Sequence, residues 1–230
     1  MSDVTVFGFQ HSTYVNVVRH ILIEKGVAFR FHDTEDEMFT PEHLARHPFG
    51  RVPVLQHGGF LLYETSAITA YIDEVFDGPK LTPPEPKLRA RMNQWISNLS
   101  NYFYYWMIYH ISHERRVFPA LDIPSNEAIV ARALPHAEEA LQVMDRELAD
   151  GRPFIVGEAV TLADFFLVPT LFSFSQTPGG KELFPRFDNL REWRARMEAL
   201  PSVLRFRAAL PPRTPIWHAR EWAVSHRPLV

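Results

Sequence analysis

The sequence predicts an α/β domain built on a small mixed sheet, followed by a domain that is entirely helical. Three observations support this prediction. Short strand-like and helix-like segments alternate over residues 1–76, a proline-rich stretch occupies residues 77–86, and every later segment has helical periodicity. Proline cannot continue a helix, so this stretch separates the two halves. We assign residues 1–78 to the first domain, 79–86 to a linker, and 87–230 to the second domain and its tail.

The first half opens with a strand and a helix. Residues 4–7 are a run of β-branched and aromatic side chains that ends at Gly8. Over residues 12–25 apolar positions recur at helical spacing, and Gly26 provides a stop signal. The alternating segment 27–31 predicts a second strand. Two strands joined through a helix need a right-handed crossover, so we expect them to be parallel.

The sequence of the rest of the first half predicts a short helix, then a hairpin, then a final helix. The short helix follows Pro41, a residue favoured at the first helical position. Two apolar strands, 52–55 and 60–63, flank a His-Gly-Gly turn at residues 57–59, which is typical of an antiparallel hairpin. Residues 65–76 then carry an apolar face at helical spacing.

The second half predicts only helices. Their expected ranges are 87–118, 125–149, 161–176, 188–199 and 202–209. The last stretch, 211–230, contains Trp217 and Trp222 among prolines and basic residues, and we expect it to lie on the surface.

Composition excludes several classes of function. The 230 residues carry a net charge of −3, which favours neither nucleic acid nor an anionic membrane as partner. No apolar run is long enough to cross a bilayer and no secretory signal is recognisable, so we expect a cytoplasmic protein. The chain has no cysteine, which excludes disulfides, a cysteine nucleophile and thiolate metal sites. Any sulfur chemistry must therefore use the sulfur of a ligand.

Three short motifs in the first half resemble the glutathione-binding half of cytosolic glutathione transferases of the serine type. They are the strand–loop–helix start at 6–12, the segment HPFGRVPVL at 47–55, and YETSAI at 63–68. The resemblance continues into the helical half at 157–164, GEAVTLAD. It implies a thioredoxin-like first domain with a four-stranded mixed sheet, an all-helical second domain, a homodimer, and glutathione as co-substrate.

The resemblance makes Ser12 the candidate catalytic residue. A free thiol of the cysteine type has a pKa of about 8.5, so little of it is thiolate at neutral pH. A hydroxyl that donates to the sulfur, at the positive end of a helix, would lower that pKa. Ser12 stands after the first strand, where the first helix begins. From spacing alone, Ser12 or Thr13 could instead simply cap the helix.

The other glutathione contacts implied by the resemblance come from the second and third motifs. A cis Val52–Pro53 peptide would let the main chain of Val52 pair with the cysteinyl backbone of the ligand. Glu64 would bind the α-ammonium of the γ-glutamyl group, and Thr65 with the helix start would bind its carboxylate. Ordinary alternatives are a trans proline at a strand start and a threonine cap.

The glycyl carboxylate of glutathione requires a cation. Relatives place a lysine or histidine after the second strand, but this loop is acidic here, at residues 33–37. Arg51 is the nearest substitute, with His43, Arg46 and His47 as further possibilities.

Aromatic residues supply the remaining candidates. By the resemblance, Phe9, Tyr105, Trp106 and Tyr109 would line a pocket for a hydrophobic electrophile between the two domains, although such residues can equally form core. Helical spacing places Tyr102, Trp106, Tyr109 and His113 on one stripe. By the same resemblance, Phe49 would contact the partner subunit, or else it would cover its own core.

We expect no bound metal. His110 and His113 could be read as metal ligands, but a pair of this kind lacks the third ligand that a metal site requires.

The sequence thus predicts a glutathione transferase that activates the glutathione thiol for attack on a hydrophobic electrophile. One alternative is a non-catalytic interaction module on the same fold, which the acidic loop and the missing lysine favour. Another is a glutathione-dependent isomerase, peroxidase or dehalogenase, because a pocket of unspecific aromatics does not distinguish among these reactions.

Overall fold

The computed structural model describes residues 3–209, so the predicted surface segment 211–230, with Trp217 and Trp222, lies outside the described residues. The described chain divides into two compact units. The first unit contains residues 3–83 and 199–209, and the second contains residues 84–198. The domain limits placed from the sequence alone stay a prediction.

The first unit is built on a four-stranded mixed sheet. Its strands are β1 (Val4–Gly8), β2 (Arg30–Asp33), β3 (Val54–His57) and β4 (Phe60–Tyr63), in the order β2-β1-β3-β4. β1 and β2 pair in parallel, whereas β3 is antiparallel to both β1 and β4. The predicted fold class, with its parallel first pair and antiparallel hairpin, is confirmed.

Three helices accompany these strands along the chain. They are α1 (Thr13–Glu24), α2 (Pro41–Arg46) and α3 (Thr65–Val75). α1 ends where the sequence indicates, because Gly26 follows it with a left-handed φ of 69° that glycine adopts without strain. A short 3-10 turn, Glu35–Glu37, lies between β2 and α2.

Two strands start later than their sequences predicted. β2 covers Arg30–Asp33 rather than residues 27–31, because Val27 N–H still bonds to the Leu22 carbonyl at the end of α1. β3 begins at Val54 rather than Val52, since Pro53 has no N–H to donate and pairing with β1 starts at Val54. Neighbouring main-chain bonds therefore set both boundaries.

The second unit is helical among its described residues. Its helices are α4 (Pro86–Asn98), α5 (Phe118–Ala120), α6 (Glu127–Glu147), α7 (Leu162–Ser175), α8 (Pro178–Leu183) and α9 (Asp188–Glu198). A π-helical stretch, Leu99–Val117, joins α4 to α5, so the predicted helix 87–118 is present with a wider winding in its second part. α8, which the sequence did not predict, begins after Thr177, whose hydroxyl accepts from Gly180 N–H at 3.0 Å.

α7 lies at the centre of the second unit, and most of its residues are buried. It begins with a capping box, in which Asp164 accepts from both the N–H and the hydroxyl of Thr161, at 2.8 and 2.9 Å. The same buried carboxylate accepts from Trp193 Nε1 at 2.8 Å. Burial raises the pKa of Asp164, although these hydrogen bonds oppose the rise.

The last helix along the described chain, α10 (Pro201–Ala208), belongs to the first unit. It packs against α1. The ring centroids of Phe206, on α10, and of the buried His20, on α1, are 3.9 Å apart. No helix among residues 3–209 combines the length and the apolar character that crossing a membrane requires.

Candidate functional site

Strand register gathers the three motifs of the first unit at one end of the sheet. Gly8 at the end of β1 pairs with Asp33 at the end of β2. Phe7 pairs with Val54 at the start of β3, and Val54 pairs in turn with Tyr63 at the end of β4. The same end of the sheet therefore carries three segments that flank the strands, namely 9–12, 51–53 and 64–65. The loop that follows β2 begins there too.

Ser12 caps α1 and still offers a proton. Its hydroxyl oxygen accepts from Val15 N–H at 3.3 Å, so the capping alternative is realised. A hydroxyl that accepts in this way keeps its own proton for donation to another acceptor. Ser12 is half-buried, whereas Thr13 is the first residue of the helix and is only 6% exposed. No acidic side chain stands in the first turn of α1, so the positive end of this helix is not neutralised there.

Side chains that the sequence analysis did not single out hold the loop before Ser12. Arg19 Nη1 donates to Gln10 Oε1 at 2.8 Å, and Asn16 Nδ2 donates to the Gln10 carbonyl at 3.1 Å. Within the loop, Ser12 N–H donates to the Phe9 carbonyl at 3.1 Å. The signal in the sequence is an arginine at helical spacing from the apolar residues Val15 and Leu22.

The second motif carries the cis peptide that the resemblance implied, between Val52 and Pro53. Val52 lies just before β3 begins and is half-buried. Its main chain forms no hydrogen bond with any other residue of the part that the structure describes. Its N–H and C=O are therefore available to an extended backbone laid along this end of the sheet.

The third motif places a carboxylate and a hydroxyl at the start of α3. Glu64 precedes the helix with a φ of 71°, a left-handed conformation that costs free energy in a residue other than glycine. Between residues 3 and 209, no cation pairs with its carboxylate. Thr65 is buried at the first position of α3, where the helix N–H groups are still without intrahelical partners.

Among the candidate cations of this region, Arg51 is the one that is exposed. Arg46 instead pairs with Glu37 at 2.7 Å. His43 and His47 are buried. Burial and the nearby Arg46 lower the pKa of His43, while burial, His43 and Arg51 lower that of His47. Both imidazoles are therefore chiefly neutral near pH 7, which leaves Arg51 as the exposed, charged member of this set.

The aromatic candidates of the second unit form one cluster on the π-helical stretch. Tyr105 and Tyr109 stack with ring centroids 6.3 Å apart, and Tyr109 contacts His113 at 5.5 Å. Trp106 stacks on His136 of α6 at 4.2 Å. Of the predicted stripe, Tyr109 and His113 are in contact, whereas Trp106 contacts Tyr105 and His110. Phe9 lies in the first unit, on the loop that precedes Ser12.

His110 and His113 do not form part of a metal centre in the described structure. His110 Nδ1 lies 2.8 Å from the Tyr105 carbonyl, so this nitrogen carries the proton and donates. Across residues 3–209, no three histidine or acidic side chains are grouped as a metal ion would require.

A four-stranded mixed sheet of this order, with a hydroxyl, an open main chain and a carboxylate at one end, defines a thioredoxin-like domain. Comparison with known families specifies it further. Residues 6–80 match the family described as glutathione S-transferase, N-terminal domain, and residues 127–196 match its C-terminal domain. The chain is 30% identical over 220 residues to the probable glutathione S-transferase GSTF1 of Oryza sativa subsp. japonica, covering 93% of this chain and 99% of that protein. The chain belongs to the glutathione S-transferase family.

Other relatives agree with this assignment. Glutathione S-transferase F13 of Arabidopsis thaliana is 32% identical over 168 residues, which cover 72% of this chain and 75% of that protein. The solved structure of glutathione S-transferase III in its apo form superposes with a TM-score of 0.83 at 27% identity, covering 93% of this chain and all of that one. Glutathione S-transferase-I bound with lactoylglutathione shares the fold, with a TM-score of 0.81 at 24% identity over 90% of this chain and 99% of that one.

Proposed function

We propose that this glutathione transferase binds glutathione across the end of its sheet and that the Ser12 hydroxyl donates to the glutathione sulfur. The observation that carries the proposal is the hydrogen bond from Val15 N–H to Ser12 Oγ. It fixes the hydroxyl at the positive end of α1 while the hydroxyl proton stays available. A donor and a helix terminus directed at one sulfur stabilise its anion, and each unit of pKa depression corresponds to about 1.4 kcal/mol.

The tripeptide is proposed to bind through three contacts. The main chain of Val52, before Pro53, pairs with the cysteinyl backbone as an added strand would. Glu64 binds the γ-glutamyl ammonium, and Thr65 with the first N–H groups of α3 binds the neighbouring carboxylate. Arg51 binds the glycyl carboxylate, in place of the lysine that relatives carry in a loop that is acidic here. Among residues 3–209, neither the main chain of Val52 nor the carboxylate of Glu64 has a hydrogen-bond or ion-pair partner, which supports this arrangement.

Thiolate formation prepares the transfer itself. The sulfur attacks the electrophilic carbon of a hydrophobic substrate, the carbon–sulfur bond forms, and the bond to the leaving group breaks. The thiol proton passes to solvent before the attack. Holding both reactants together contributes to the rate in addition to thiolate stabilisation. The electrophile-contacting residues named from sequence stay a prediction: Phe9, Tyr105, Trp106 and Tyr109.

The experiment compares wild type with Ser12→Ala, using Thr13→Val as the matched control. We expect the bound thiol of the alanine variant to titrate at higher pH, and its kcat/KM with an aryl halide to fall about 10- to 100-fold, the effect of one hydrogen bond to a charged group. Thr13→Val should resemble wild type, because that side chain is buried. Equal thiol pKa and equal rate in wild type and Ser12→Ala would remove Ser12 from the mechanism.

The same measurements distinguish the alternatives. Calorimetry that detects no glutathione binding would favour a non-catalytic interaction module. Binding without aryl transfer, but with turnover of peroxides, isomerisable double bonds or alkyl halides, would favour the other glutathione-dependent reactions on this fold.

A further inference from the structure

The guanidinium of Arg19 occupies an unusual position in the first unit. It extends from α1 and is buried between two aromatic rings, with its central carbon 4.5 Å from the centroid of Phe31 and 4.9 Å from that of Phe206. The residue is only 6% exposed. Phe206 belongs to α10, so a helix from late in the chain covers one face of this cation.

The hydrogen-bond partners of this cation are neutral side chains. Nη1 donates to Gln10 Oε1 at 2.8 Å and to Asn16 Oδ1 at 3.3 Å. No carboxylate between residues 3 and 209 forms an ion pair with it, and its buried Nε has no hydrogen-bond partner there. Burial accordingly lowers the pKa of Arg19, with Asp33 partly opposing the change.

Burying a guanidinium beside amides rather than a carboxylate costs free energy, so stability alone does not account for this arrangement. The partner that receives the strongest of these bonds, Gln10, stands two residues before Ser12. Asn16 holds the carbonyl of the same residue, at 3.1 Å. The network therefore fixes both the side chain and the main chain of Gln10, and so the path by which the chain enters α1.

We propose that Arg19 is a positioning residue for Ser12, fixing through Gln10 the loop that presents the hydroxyl to the sulfur. This inference rests on the proposed function of Ser12. Arg19 does not touch the ligand in this proposal. It keeps the loop in one conformation, and contacts with Phe31 and Phe206 hold the guanidinium close to Gln10. The other charged or titratable groups facing this network are Asp33, His20 and Arg207.

The test replaces, one at a time, the two residues that the hydrogen bond between Arg19 and Gln10 joins. Arg19→Met keeps an unbranched, apolar side chain at this position and removes the donors, while Gln10→Ala leaves the buried guanidinium in place. Arg30→Met serves as the control, because Arg30 is an exposed arginine of the same unit that bonds to Thr5 at 3.1 Å and lies outside the network. For each variant one measures kcat, KM for glutathione, the pKa of the bound thiol and the melting temperature.

Both variants should lower kcat at least about 10-fold, because a displaced catalytic group loses its alignment with the reacting atoms. KM for glutathione should change less than about 3-fold, since the proposed binding contacts of Val52, Glu64 and Thr65 are untouched. The bound thiol should titrate at higher pH, and the double variant should lose little more than either single one, because both break the same link. Arg30→Met should match wild type.

A purely structural role would lower the melting temperature while kcat and the thiol pKa stayed at their wild-type values, and this result would overturn the inference. If Arg19→Met does not fold, Gln10→Ala decides alone by the same criterion. Failure of the proposed function gives a different pattern. In that case wild type and Ser12→Ala already agree in thiol pKa and rate, and the inference about Arg19 falls with it.

Discussion

At the scale of the residue, Ser12 performs two tasks with one hydroxyl. The oxygen accepts from Val15 N–H and caps α1, and the proton stays available for the proposed thiolate. From the sequence alone, capping of the helix and donation to the sulfur were alternative roles for Ser12. They are compatible because accepting and donating use different parts of the same group.

Glu64 gives a second residue-scale result, a conflict between stability and ligand binding. Its φ of 71° favours glycine. We expect Glu64→Gly to raise the free energy of unfolding by about 1 kcal/mol, by relieving the backbone. The same variant should bind glutathione about 10-fold more weakly or worse, because it loses the carboxylate that pairs with the ligand ammonium. Chemical denaturation and calorimetry measure the two effects.

Glu64→Ala is the matched control for that experiment. It removes the carboxylate and keeps a β-carbon at the left-handed position, so it should lose affinity without gaining stability. A glycine variant no more stable than the alanine variant would contradict the assignment of strain to this residue.

At the scale of the element, burial of His20 between α1 and α10 makes stability depend on pH. Burial, followed by the nearby charges of Arg19 and Arg207, lowers the pKa of His20 to about 3. The unfolded chain binds a proton near the ordinary histidine pKa of about 6.5, and the folded chain does not. The contribution of His20 is therefore complete above about pH 6.5 and decreases as the pH falls towards 3, by at most about 1.4 kcal/mol per pH unit.

We expect His20→Leu to reduce this acid sensitivity. Urea denaturation at about pH 7.5 and about pH 5 should show a smaller loss of unfolding free energy in the variant than in wild type. His136→Gln is the control, since it removes a histidine whose side chain is 47% exposed rather than buried. Parallel losses in wild type and His20→Leu would assign the acid sensitivity to other groups.

A buried ion pair joins α1 and α3 to the segment that follows α3. Lys25 Nζ lies 3.1 Å from Asp73 Oδ1, and the N–H groups of Leu81 and Thr82 each donate to the same carboxylate at 2.9 Å. Burial alone would raise the pKa of Asp73, but these hydrogen bonds and the lysine charge together hold it below its ordinary value. Gly78, with a φ of 104°, allows the chain to pass close to the Lys25 main chain.

Asp73→Asn should lower the free energy of unfolding by about 3–5 kcal/mol, because it leaves a buried ammonium without its counter-ion. Lys25→Met combined with Asp73→Asn should be less destabilised than the sum of the single variants, since the uncompensated charge is then gone. Denaturation curves of the three variants measure both effects. Strict additivity would show that the pair contributes no coupling.

At the scale of the whole molecule, the proposed assembly is a homodimer in which Phe49 contacts the partner. Phe49 is 71% exposed, the largest exposed fraction of any bulky apolar side chain among residues 3–209. We expect Phe49→Ser to weaken self-association, so that sedimentation velocity detects monomer at concentrations where wild type is dimeric. Leu204→Ser is the control, an apolar residue that is 53% exposed on α10. A wild-type chain that sediments as a monomer would contradict the proposal.

Secondary structure followed from the sequence wherever local signals agreed. The strand β4 and the helices α1 and α7 lie where caps, glycines and apolar spacing indicated. The start of β2 did not, because its first residues are used to end α1. The π-helical stretch could not be predicted either, since apolar spacing over a few turns does not distinguish a π-helix from an α-helix.

What the sequence determined by itself was the class of protein: the order of strands and helices, the motifs at the end of the sheet, and the need for a ligand's sulfur in a chain without cysteine. Tertiary structure decided which groups of each motif are available. It buried His43 and His47, paired Arg46 with Glu37, and placed Arg19 between rings from β2 and α10. The physical reason is that local patterns encode backbone conformation, whereas burial, pairing and charge depend on residues distant in the chain.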